Sequence, residues 1–91
     1  MTPTLKLAIA TLDATGHTLS VYHEQLHVQA PDGAYHSQHV AALVVAALAE
    51  ALPSVRWEIE PRGAHCRLYA EVYSTAALAA IEAVYVAWTE T

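Results

Sequence analysis

The sequence predicts an α+β domain of order ββαββα, a four-stranded antiparallel sheet with two helices packed on one face. Three observations predict it. Val55, Trp57 and Ile59 alternate with Arg56, Glu58 and Glu60, the period of a half-buried strand. Val40, Leu43, Val44, Ala47, Leu48 and Ala51 recur at helical spacing between Ser37 and Pro53. Leu78, Ile81, Val84, Tyr85 and Trp88 repeat that spacing near the end of the chain. At 91 residues there is room for a single domain, residues 1–91, with ββα halves at about 4–52 and 54–91.

Taken in order, Leu5, Leu7 and Ile9 fall on one face of a first strand over 5–12, and Ala14-Thr15-Gly16 forms a turn. A second strand runs from about His17 to Val28. Ala30-Pro31-Asp32-Gly33 reads as a loop by its turn residues. Ser37 is placed to cap a helix over about 38–52, which Pro53 ends. The third strand turns at Pro61-Arg62-Gly63-Ala64 and returns as a fourth strand from His65 to Tyr73. Ser74 or Thr75 then caps the closing helix.

A turn centred on Arg62-Gly63 sets Trp57 opposite Leu68, Ile59 opposite Cys66 and Val55 opposite Ala70, an apolar face throughout. The other face then pairs Glu60 with His65, Glu58 with Arg67 and Arg56 with Tyr69. In this arrangement Cys66 points into the core and His65 away from it, so the two cannot cooperate as nucleophile and base. A lone cysteine also forms no internal disulfide.

Composition narrows the function. Four Lys and Arg against nine Asp and Glu give a formal charge of −5, and 55% of residues are hydrophobic. That excludes a disordered chain and a basic nucleic-acid domain. The six histidines invite a metal reading. Their spacings do not sustain it: His23 and His27 lie about 13 Å apart if they share a strand, and His36 and His39 have no third ligand nearby in sequence. Protonating all six would carry the formal charge past neutrality. No phosphate-binding glycine loop, nucleophile elbow or zinc motif occurs. The expectation is therefore a protein that is not an enzyme and takes no cofactor and no metal. Neither a membrane segment nor a secretory signal is evident, so a cytoplasmic protein is expected.

Two surfaces look unfinished. Behind its core stripe the first helix carries Ala42, Val45, Ala46 and Ala49, and the second carries Ala80, Ala83 and Val86, with little charge among them. Such faces suit a second copy of the chain. The sheet face away from the helices collects Lys6, Tyr22, Glu24, Arg56, Glu58, Arg67, Tyr69, Glu71 and Tyr73, and Tyr and Arg are enriched at binding hot spots. These features point to a small acidic protein-binding module acting by surface complementarity, with another protein as partner and a homodimer as its state. In length, acidity, lack of motifs and α+β order the chain is similar to compact phage-encoded inhibitors of bacterial defence systems. That resemblance implies a bacterial defence or host protein as target. The alternative is a homodimeric ligand-binding or sensory domain with its pocket at the subunit interface.

Overall fold

The computed structural model describes residues 1–31 and 37–90. Seven elements follow one another: α1 (Pro3–Thr15), β1 (Thr18–Tyr22), β2 (Gln25–Gln29), α2 (Ser37–Ala51), β3 (Trp57–Arg62), β4 (His65–Ala70) and α3 (Thr75–Thr89). The expected ββαββα order and four-stranded antiparallel sheet are present, preceded by a helix that was not expected. Asp32, Gly33 and His36, which figured in the loop and histidine-pair readings, lie outside the described residues.

The first strand expected over 5–12 is instead helix α1. Its ends explain why. Thr2 is the N-cap, its Oγ1 accepting from the Leu5 amide at 3.2 Å, and Pro3 occupies the first turn, where a missing N–H costs nothing. At the other end Gly16 adopts φ +71°. The His17 amide donates to the Leu12 carbonyl at 3.0 Å and the Gly16 amide to the Asp13 carbonyl at 3.4 Å, a Schellman closure. The face that is buried is Leu5, Ala8, Ile9 and Leu12, a helical stripe, whereas Leu7 is 56% exposed.

The stretch expected as one strand from His17 to Val28 folds as a hairpin, β1 and β2, about the two residues His23 and Glu24. The sheet order is β1-β2-β4-β3, so β2 and β4 are central and the two hairpins join through them. The joint sets Leu26 opposite Leu68 and Val28 opposite Cys66, all four fully buried under the helices. Burying each leucine or valine here contributes roughly 1.5–3 kcal/mol before entropy is counted.

The register of the second hairpin differs from expectation by two residues. Trp57 pairs with Ala70, Ile59 with Leu68, Glu58 with Tyr69, Glu60 with Arg67 and Arg62 with His65. The connecting residues are Gly63-Ala64, and Gly63 at φ +60° leading the pair matches a type II′ turn. Because the shift is even, no side chain changes face, and Cys66 is inward as expected. Its thiol lies 3.2 Å from the hydroxyl of Ser37, the first residue of α2. Ser74 caps α3 as expected, accepting from the Ala77 amide at 3.1 Å.

Leu7 and Leu12 separate the helical from the extended reading of the N-terminal segment. Leu12→Ala should cost about 2–5 kcal/mol in urea denaturation. Leu7→Ala, which an inward-facing strand would also feel, should change stability by about 0.5 kcal/mol or less.

Candidate binding surface

The side of the sheet away from the helices holds three rows of side chains, aligned across the strands by the pairings. Tyr22, Gln25, Tyr69 and Glu58 form the first row, Ser20, His27, Arg67 and Glu60 the second, and Thr18, Gln29, His65 and Arg62 the third. No described element covers it.

Electrostatics on this face centre on Glu60. It accepts from Arg62 Nε at 2.8 Å and contacts the same guanidinium at 2.6 Å, and its second oxygen takes a terminal nitrogen of Arg67. The Arg62 hydrogen bond first, and Arg67 after it, hold the Glu60 carboxyl below the usual carboxylate range. Arg67 also stacks over the Tyr69 ring, 4.8 Å from its centroid. Farther along, Arg56 lies 3.3 Å from Glu58 and 3.6 Å from Glu71. The ladder expected from the sequence thus exists with different partners.

Histidines gather beside the arginines. The rings of His27 and His65 are 5.8 Å apart, and Tyr22 packs edge-on to His23 at 4.1 Å and to His27 at 6.2 Å. Burial lowers the His27 pKa; a hydrogen bond to the Tyr22 backbone opposes this, and His65, Arg67 and His23 lower it further. His27 Nε2 and Arg67 Nε are buried without a hydrogen-bond partner. Among the described residues no three His, Cys, Asp or Glu side chains gather as metal ligands. His17 lies elsewhere, buried at the end of α1 with its Nδ1 2.7 Å from the Thr15 hydroxyl.

A cleft opens where this face meets the start of α3. Glu24, Tyr69, Glu71 and Tyr73 line it, over a floor that includes Ala77 and Ile81. Although Tyr73 as a whole is 61% exposed, local desolvation and then a hydrogen bond to Glu24 raise its phenol above the ordinary value. The wall of the cleft is the turn His23-Glu24, and here the backbone is costly. Both residues have positive φ, +49° and +64°, the signature of a type I′ turn that glycine and asparagine normally make.

All eight residues expected on the sheet surface therefore lie on the open face or at its cleft end, except that Lys6, read beside them, belongs to α1. His23, His27, Arg62 and His65 were missed as a group. The signal was present in two arginines and three histidines, but their convergence depends on a turn at His23-Glu24 that carries no glycine.

No family model, curated protein or solved structure matches this chain. Its surfaces must speak for themselves.

The helix residues proposed for self-association divide. Ala42, Ala46 and Ala83 are exposed and Val86 is 46% exposed. Ala80, at 8%, belongs to the chain's own core, and Val45 and Ala49 pack against that core. Helix α1 also lies along α2, so part of the alanine-rich surface is covered within the chain. No described helix is long and apolar enough to cross a membrane.

Two predictions follow from this geometry. Replacing His23 by Asn and Glu24 by Gly should raise stability by about 1 kcal/mol or more, measured by chemical denaturation, by relieving the turn. The depressed His27 pKa means that the unfolded chain binds a proton the folded chain resists. Stability should therefore fall as pH drops through the ordinary histidine value of about 6.5. His27→Gln should shrink the difference between urea midpoints measured above and below that pH; an unchanged difference would remove His27 as its source.

Proposed function

We propose that this chain is a protein-binding module whose partner, a different protein, docks on the open face of the sheet and its cleft end. The observation that carries the reading is the composition of that uncovered face. It holds every arginine of the chain beside Tyr22, which is 63% exposed, and Tyr69. Tyrosine and arginine are the side chains enriched among those that dominate binding energy, and a preformed sheet presents them without a backbone to be ordered on docking. The strained turn beside the cleft supports the same reading, because local strain at an exposed position commonly accompanies function. An inhibitor of a bacterial defence or host protein is the form of such a module that size, acidity and architecture suggest. No catalytic constellation enters this reading, and the proposed action is occlusion of the partner's surface.

The test is affinity capture from a bacterial host lysate with wild-type protein and three variants. A partner of the open face should be retained by Ala83→Lys on the exposed side of α3. It should be lost, by about tenfold or more in affinity, with Tyr22→Ala and with Tyr69→Ala. Retention by both tyrosine variants together with loss on Ala83→Lys would move the interface to the helices.

A further inference from the structure

Within the open face one depression has a chemistry of its own. It is lined by Tyr22, His23, Gln25, His27, Arg62, His65 and Arg67. No carboxylate is among these lining residues, in a chain where acids outnumber Lys and Arg by nine to four. Its basic groups arrive from separate elements: His23 from the β1–β2 turn, His27 from β2, His65 and Arg67 from β4, and Arg62 from the end of β3. Glu60, which bridges Arg62 and Arg67, offsets one of the two guanidinium charges and leaves the other uncompensated. Two polar atoms in this cluster, His27 Nε2 and Arg67 Nε, are buried and lack partners. Buried polar atoms of this kind are rarely left unsatisfied, and the arginine Nε–H can only donate.

From this convergence we infer a binding site for a phosphate group, either free phosphate or the phosphomonoester of a phosphorylated side chain. Phosphate suits the cluster better than carboxylate does. A carboxylate offers two oxygens in a plane, whereas phosphate presents three or four around a tetrahedron, matching donors that approach from three strands and a turn. Arg62, held on Glu60 by two of its nitrogens but with its side chain 59% exposed, shares its guanidinium between Glu60 and the ligand. Arg67, more deeply set, supplies the fixed donor.

The histidines make the site pH-dependent. His27 faces Tyr22 and His23 from the first hairpin, His65, Arg67 and Tyr69 from β4, and Arg62 and Glu60 from β3 beyond. In the free protein burial and the neighbouring cations oppose its protonation. A bound dianion reverses that field, so binding and proton uptake promote each other. This inference does not rest on the protein-partner reading, since a free phosphate compound would satisfy it.

The experiment is a histidine-resolved NMR titration with inorganic phosphate, at constant ionic strength, at about pH 6 and about pH 8. The imidazole signals of His27 and His65 should shift saturably with one midpoint, at about 1 mM or below at the lower pH and weaker at the higher. The signals of His17 and His39 should stay in place. Arg62→Gln, at an exposed strand end where folding is not at risk, should raise the midpoint about tenfold, as loss of a charge-assisted donor requires. A parallel titration with O-phosphoserine assigns an esterified ligand if its midpoint is lower, and a free one if it is higher. Equal shifts with acetate, uniform drift of all the histidines, or an unchanged midpoint in Arg62→Gln would each overturn the site. Loss of the protein partner with an intact phosphate response would overturn only the docking reading.

Discussion

The antiparallel pairing of β2 with β4 is the joint on which the molecule turns. Each hairpin by itself is a two-stranded ribbon, which is marginally stable in water at best. Setting Leu26 against Leu68 and Val28 against Cys66 makes one sheet with one apolar face, on which the helices settle. The same pairing sets His27 against Arg67 on the opposite face. Core and binding surface are thus two sides of a single register. A one-residue slip between the hairpins would turn one of them over, burying Arg67 and exposing Leu68 and Cys66 where it is the second, and the cost of the buried charge alone forbids it.

How much of this was legible in the sequence differs from element to element, for physical reasons. The period of Val55, Trp57 and Ile59 and the stripes of α2 and α3 are strong because each repeats several times with bulky residues. The N-terminal segment misled because Leu5, Leu7 and Ile9 satisfy a strand's period while Leu5, Ala8, Ile9 and Leu12 satisfy a helix's. Alanine at position 8 is too small to decide between them by hydrophobicity. The caps do decide it: Thr2-Pro3 and Gly16 bracket a helix of thirteen residues. The first hairpin was hidden for the opposite reason, since nothing in His23-Glu24 announces a turn. Tertiary pairing imposes it on residues that would not choose it.

The candidate surface follows the same logic. Alternation along β3 and β4 was enough to put Arg56, Glu58, Arg67 and Tyr69 on the open face, and an even error in register left that assignment intact. What alternation along one hairpin cannot give is contact between hairpins. The approach of His27 to His65, and of both to the two arginines, belongs to the sheet order, which one chain read alone does not specify. The alanine-rich helices carried a further ambiguity. Small residues permit close approach of another helix, and that helix can come from the chain itself, as α1 does along α2.

Strand β3 lies at the edge of the sheet and carries Pro61 within it. An edge strand offers its free amides and carbonyls to any extended chain it meets, and a sheet with an uncovered face is doubly open to such growth. Proline has no amide hydrogen to contribute, so the outer ladder is interrupted one residue before the end of its longer edge. The opposite edge, β1, is only five residues long. Growth of the sheet by strand addition is therefore hindered at the β3 edge, while the face between the two edges stays open to contact by side chains.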